Sequence, residues 1–241
     1  MPLPTFSSFE PATLLSRRDV AIDQIVVELG ASERAVAQHT RAGQFLKARV
    51  DDADGNTLEG IFAMLSAPRE RSLRFLLRKN NAEGGEAADR LALIPEGSPL
   101  SISDPAGDGF ALERALGRDV VVIATGTAIA PARAAIEVML EERGRYGAIT
   151  LDYGVRSEGH VAIGDDLARW RDAGIEIGIH VSELDASGKL VGVRAQDVAL
   201  ARIRDASRTT VVAVGQSALV KELRATFASR GGDPERVLHN Y

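Results

Sequence analysis

Apolar and polar positions alternate with two different rhythms along the chain. Between residues 12 and 110, short alternating runs recur at close spacing: "TLLSRRDVA", "DQIVVELG", "GQFLKARVDD", "EGIFAML", "SLRFLLRK" and "SPLSISDPAG", with turn signals such as Asp54-Gly55 between them. Successive side chains of a strand point to opposite faces, so these runs predict strands. Repeated short strands with turns predict an antiparallel barrel or sandwich. In "SLRFLLRKN", Leu73, Phe75 and Leu77 share one face, and Arg74 and Arg78 share the other. Only "GEAADRLALI" has helical spacing in this half.

The rhythm changes near Leu112 to Gly117. Apolar runs follow at "DVVVIA", "AITLDYG", "IEIGIHVS", "TTVVAVG" and "RVLHNY". Between them lie the amphipathic stretches "ARAAIEVMLEERGRY", "DDLARWRDAG", "QDVALARIRDAS" and "SALVKELRATFASRG". Strands that are apolar on both faces, each followed by an amphipathic helix, predict a parallel sheet with helices on both sides. The expected architecture is therefore two domains. Residues 1–113 form an antiparallel β-barrel, and residues 114–241 form an α/β, doubly wound, five-stranded parallel sheet.

Composition narrows the function classes. The 241 residues are 45% hydrophobic and 26% charged, as in ordinary globular proteins. A net charge of −5 gives no general footprint for nucleic acid. No cysteine is present, so disulfides, thiol chemistry and a cysteine-held iron–sulfur cluster are excluded from this chain. No apolar run is long enough to span a membrane, and the N-terminus lacks a basic segment followed by an apolar one. The expectation is a cytoplasmic protein with neither a membrane nor a nucleic-acid partner. His39, His160, His180 and His239 show no metal-ligand spacing, so no metal is expected. His180 ends an apolar strand and reads as a packed, hydrogen-bonded residue. Trp170 and Leu167, three apart on a helix, read as core. The cations Arg69, Arg71, Arg74, Arg78 and Lys79 read as a solvated strand face ahead of a dock for an acidic redox partner or a phosphate.

The stretch "ATGTAIAP" directly follows the first strand of the second half. Ligands of doubly wound sheets bind beyond the carboxyl ends of the strands. Gly126 permits a tight turn, Thr125 and Thr127 offer hydroxyls, and Pro131 suits a first helical turn. Exposed amides at that helix start favour a phosphate. The alternative is a strand–helix connection that simply needs small residues.

The order of motifs resembles the ferredoxin–NAD(P) reductase superfamily, over nearly the whole chain. "PEGSPLSISDPAGDGF" is similar to the family's segment at the barrel's end. "VVVIATGTAIAP" resembles its pyridine-nucleotide loop, G-x-G-x-x-P, with Ala128 in place of the second glycine. "LDYGVR" is similar to Y-G-x-R, which brings in Gly154 and Arg156. The segment from Ser182 to "RAQD" resembles S…G-x-x-Q-D. "VVAVGQSAL" resembles the loop beside the nicotinamide, with Gly215 and Gln216. The terminal Tyr241 is similar to the aromatic residue that some members place against the flavin.

The resemblance implies an FAD-dependent oxidoreductase, with NAD(P)H as substrate. Hydride would pass between nicotinamide and flavin, and single electrons would be exchanged with a ferredoxin- or flavodoxin-like carrier. The flavin positions it implies are Phe62, Ala63, Met64 and Ser66 in "GIFAMLSAP", together with Gly85; Arg78 or Lys79, on the strand before Gly85, is the candidate for the charge that Gly60 lacks. It implies the dinucleotide at Thr125, Gly126, Thr127, Ala128 and Pro131. No side chain need act as a catalytic acid or base. The family's R-x-Y-S motif is replaced by Gly60, Phe62 and Ala63, and hydroxyls are missing at Ala87 and Ala88. These replacements leave two alternatives: a flavin-free binding or regulatory module, and an electron-transfer subunit of a larger redox complex.

Overall fold

The computed structural model describes residues 6, 8–79, 85–184, 190–215 and 217–240. The first half contributes β1 (Phe9–Ala21), β2 (Gln24–Gly30), β3 (Phe45–Asp51), β4 (Thr57–Ala63), β5 (Leu73–Arg78) and β6 (Pro99–Ser103). These form one antiparallel sheet in the order β4-β3-β6-β1-β2-β5. A bridge between Met64 and Phe75, with the Leu65 amide donating to the Arg74 carbonyl at 2.7 Å, joins the two outer strands into a barrel. The closure is made at this one end, and β4 and β5 otherwise pair only with β3 and β2. The barrel core contains Leu73, Phe75 and Leu77, the predicted inward face of β5.

The opposite face of β5 is only partly open to solvent. Leu76 belongs to a core shared with the second domain, and the partly exposed Arg74 and Arg78 lie in the seam beside it. The expected solvated basic face is therefore covered in part. Arg69, Arg74, Arg78 and Lys79 are paired with Glu141, Glu70, Asp23 and Asp19 respectively, and Arg71 is exposed. One short helix was not visible in the alternation, α1 (Glu33–Gln38). The Ser32 hydroxyl accepts from the Ala35 amide at 3.1 Å and caps it. The predicted helix appears as α2 (Gly85–Leu93).

The second half contains β7 (Asp119–Thr125), β8 (Ile149–Val155), β9 (Glu176–Leu184), β10 (Leu190–Gly192), β11 (Thr209–Val214) and β12 (Val237–Leu238). The sheet order is β10-β9-β8-β7-β11-β12. The five predicted strands run parallel, and β10 is an additional antiparallel edge strand. Along β7, Val120, Val122 and Ala124 face one core, while Val121 and Ile123 face another. That double burial explains the unbroken apolar run. The helices are α3 (Ile129–Glu141), α4 (Gly164–Asp172), α5 (Ala195–Arg202) and α6 (Ser217–Ser229).

The two domains share an apolar core that includes Ala42, Leu65, Leu76 and Phe110 with Val122, Ile129 and Ile136. An ion network around the buried Arg133 crosses beside it. Arg133 of α3 donates to Glu70 at 2.9 and 3.0 Å, to Asp166 at 2.6 Å and to the Leu65 carbonyl at 3.1 Å. Burial pushes the Glu70 carboxyl up. Hydrogen bonds from Arg133 and the Ala67 amide outweigh that and hold it down at about 2. Burial works against the Arg133 charge, but Glu70 and Asp166 raise its pKa further.

Candidate functional site

Strand order reverses between β7 and β11, so the loops after Thr125 and Val214 diverge to opposite sides and leave a crevice. The wall formed by β4 and β5 of the barrel closes this crevice into a cleft of about 730 Å³. That size lies within the range of small-molecule sites. Phe62, Ala63 and Arg78 line it from the barrel, and Thr127, Ala128, Pro131 and Gly215 from the sheet domain.

Arg78 is the cation at the centre of this arrangement. Gly126 adopts φ +53°, and a Cβ there would lie 2.8 Å from Arg78 Nη2. Glycine at this turn therefore serves two ends: it permits the left-handed backbone and lets the guanidinium rest against the loop. Arg78 Nε lies 3.9 Å from Asp23 Oδ2. Lys47 also lines the cleft, but its charge is engaged by Glu59 at 2.8 Å.

Phe62 contacts Phe75 edge-on, with ring centroids 6.4 Å apart. Its ring also covers Gly60, where a Cβ would meet Phe62 Cζ at 2.4 Å and the Ala87 Cβ at 3.2 Å. The place where the resembling family carries an arginine is thus filled by an aromatic ring. Ala87 and Ala88 are buried, and Ala88 reaches the cleft wall. Gly85 is the first residue of α2.

The remaining expected site residues lie elsewhere. Met64 is fully buried at the barrel closure. Ser66 is fully buried, and its hydroxyl donates to the Ser72 carbonyl at 2.6 Å and accepts from the Arg74 amide at 3.2 Å. That hydroxyl is occupied in shaping the turn before β5. Thr125 is exposed at the end of β7. Gly154 is buried where a Cβ would approach Thr125 Cγ2 at 3.1 Å and Ala195 Cβ at 3.3 Å, so its smallness serves the β7–α5 contact. Arg156 is exposed just past β8, with no hydrogen bond or ion pair among the described residues. Ser182 lies on β9 opposite Gly192. Gln216 and Tyr241 lie outside the described residues.

Asn240 and Glu59 line the cleft and were not singled out from the sequence. Asn240 Nδ2 donates to the Gly43 carbonyl at 3.0 Å and ties the C-terminal segment to the barrel. The alternation that puts Lys47 and Arg49 on one face of β3, with Arg49 directly across from Glu59, was the available signal for the charged rim.

Among the described residues, no cluster of three or more His, Cys, Asp or Glu is placed to hold a metal. No helix among them is long and apolar enough to cross a membrane. His180 Nε2 is 2.6 Å from Asp152 Oδ1, in agreement with its reading as a hydrogen-bonded residue.

Residues 122–224 match the family described as the oxidoreductase NAD-binding domain. The gamma subunit of sulfhydrogenase 2 from Pyrococcus furiosus is 25% identical over 119 residues, 49% of this chain and 40% of that protein. The chain thus spans less than half the length of this curated relative. A ferredoxin NADP+ reductase from Neisseria gonorrhoeae, solved with bound FAD and NADP, superposes with a TM-score of 0.75 at 20% identity, covering 93% of this chain and 92% of that one. The FAD/NAD-binding domain of a nitric oxide dioxygenase from Vibrio cholerae gives 0.79 at 16% identity, covering 95% and 97%. A cytochrome P450 reductase from Amycolatopsis gives 0.78 at 21% identity, covering 96% and 69%. At such identities the likeness is one of fold.

Proposed function

We propose that this chain, which shares the fold of solved ferredoxin-reductase-type proteins and matches the oxidoreductase NAD-binding domain over residues 122–224, is a flavin-dependent NAD(P)H oxidoreductase. The observation that carries this reading is the interdomain cleft, which sets an aromatic ring, a cation and a small-residue loop around one volume. A bound FAD would supply the exchange between two-electron and one-electron chemistry. Phe62 offers an aromatic face for ring contact once it swings off Gly60. Arg78 supplies the positive charge for a diphosphate, in place of the arginine missing at Gly60. The loop Gly126–Ala128 and Gly215 bring backbone close to a dinucleotide. The apolar walls around Leu76, Ala130 and Val214 keep water from the reacting face. A protein electron carrier of the ferredoxin or flavodoxin type is the proposed partner, and the relative in a sulfhydrogenase supports a place beside other redox subunits.

A second reading is favoured by one observation. The ring of Phe62 fills the slot over Gly60, as expected of a module that has kept the fold without the flavin. Purification separates the two. A flavin spectrum that survives dialysis, or returns on adding FAD, supports the reductase. A colourless protein that takes up no FAD overturns it.

A further inference from the structure

Four buried polar atoms on neighbouring residues of the seam keep hydrogen-bonding capacity that no described residue meets. They are Asp23 Oδ1, Gln24 Oε1, Arg78 Nε and the Tyr153 hydroxyl. Their neighbourhood is defined from both domains. Asp23 sits in the tight turn between β1 and β2, at φ +57°, and its carbonyl accepts from the Lys79 amide at 2.7 Å. Gln24 lies directly across the β2–β5 ladder from Arg78. Its Nε2 donates to the His160 carbonyl at 3.3 Å. His160 Nε2 stands 4.0 Å from Asp23 Oδ2, and Ser157 Oγ is 2.7 Å from His160 Nδ1. Tyr153 enters from β8, beside Ala124 at the end of β7; its hydroxyl oxygen takes the Ala162 backbone amide, which leaves its own O–H without an acceptor, and the Arg78 charge acts on it.

Buried polar groups in native proteins are almost always paired, with protein or with ordered water. Here the unpaired set is two acceptors, Asp23 Oδ1 and Gln24 Oε1, and two donors, Arg78 Nε–H and Tyr153 O–H. A water molecule donates two hydrogen bonds and accepts two, so it complements this set; buried waters usually make two to four such bonds. An ammonium ion only donates and leaves both donors unmet. Burial pushes the Tyr153 phenol up to about 12, so the hydroxyl keeps its proton.

We propose that the seam holds a buried water chamber walled by Asp23, Gln24, Arg78 and Tyr153, and that this chamber fixes the Arg78 guanidinium over the Gly126 loop. Asp23 and Tyr153 are then positioning residues for a diphosphate bound in the cleft, although neither touches it. The chamber stands on the protein atoms alone; its effect on a ligand rests on the functional reading above.

The test pairs crystallography with binding to FAD and to riboflavin, which lacks the diphosphate. The wild-type crystal structure should show water bonded to at least three of the four atoms. Asp23→Asn and Tyr153→Phe should each weaken FAD by about tenfold and leave riboflavin unchanged, as expected for loss of a bond to a charged group. Arg78 bonded directly to Asp23 with no water between them overturns the chamber. Equal weakening of FAD and riboflavin, with a lower melting temperature, assigns both residues a purely structural role and overturns the positioning claim. If the wild type takes up neither flavin, the functional reading fails and the positioning claim falls with it, while the crystal structure still decides the chamber.

Discussion

Arg133 of the second domain grips Glu70 of the barrel through both terminal nitrogens, at 2.9 and 3.0 Å. The same guanidinium holds Asp166 of α4 and the Leu65 carbonyl, so one side chain joins the barrel to α3 and α4. Its side chain is only 5% exposed, while that of Glu70 is 28% exposed at the mouth of the seam. This joint and the shared apolar core together link the two cleft walls.

Arg133→Ala should therefore be destabilising. Glu70 keeps Arg74 and Asp166 keeps Arg169 as partners, so the loss should fall below the about 3–5 kcal/mol of a fully buried pair. Urea titration of the variant against the wild type measures it. Coincident unfolding curves would show that solvent already reaches the joint.

Acid should weaken the fold in two stages. His39 is buried, and burial lowers its pKa from 6.5 to about 4. The unfolded chain thus takes up this proton first, and stability falls as pH drops from 6.5 to 4. From pH 7 to pH 5 this amounts to about 2 kcal/mol. Glu70 acts below that range. Its stabilising contribution is present above 4.5 and is lost as pH falls through about 2. His39→Gln should flatten the upper stage and leave the lower one. Parallel pH dependence in variant and wild type would remove His39 from the account.

Gly126→Ala should displace Arg78. The added methyl meets Nη2 at 2.8 Å, in a backbone region that alanine disfavours by about 1 kcal/mol. FAD and pyridine dinucleotides should bind more weakly than to the wild type, by isothermal calorimetry. Arg78→Ala should weaken FAD at least about tenfold and spare riboflavin. Undiminished FAD binding in both variants would place the phosphates elsewhere.

Ala128→Gly tests the loop itself. Ala128 lines the cleft, and its methyl stands where the resembling family has a glycine. If that methyl holds a pyrophosphate off the backbone, the glycine variant should bind NAD+ or NADP+ more tightly. Unchanged affinity would mean that the loop does not take the phosphates.

Much of this molecule was readable from periodicity. The unbroken apolar run of β7 encodes burial on both faces, and "ATGTAIAP" falls at the switch point because it follows the first strand. The six residues of α1 are too few to display a helical period, and only the Ser32 cap gives it away. The three residues of β10 show no alternation either. On β5 the pattern separated Arg74 and Arg78 from the barrel core, but period two cannot distinguish a face covered by solvent from one covered by another domain. Leu76, between the two arginines, was the clue. Ser66 shows the same limit at the site: its residue type suits a ligand, and the Ser72 carbonyl claims it first.

Anaerobic mixing of the FAD-treated protein with NADH or NADPH, followed by visible absorbance, tests the central claim most directly. The account predicts that FAD is retained and that its absorbance near the visible maximum bleaches with at least one of the two nucleotides. A protein that retains no FAD, or whose bound FAD keeps its full absorbance with both nucleotides, contradicts it.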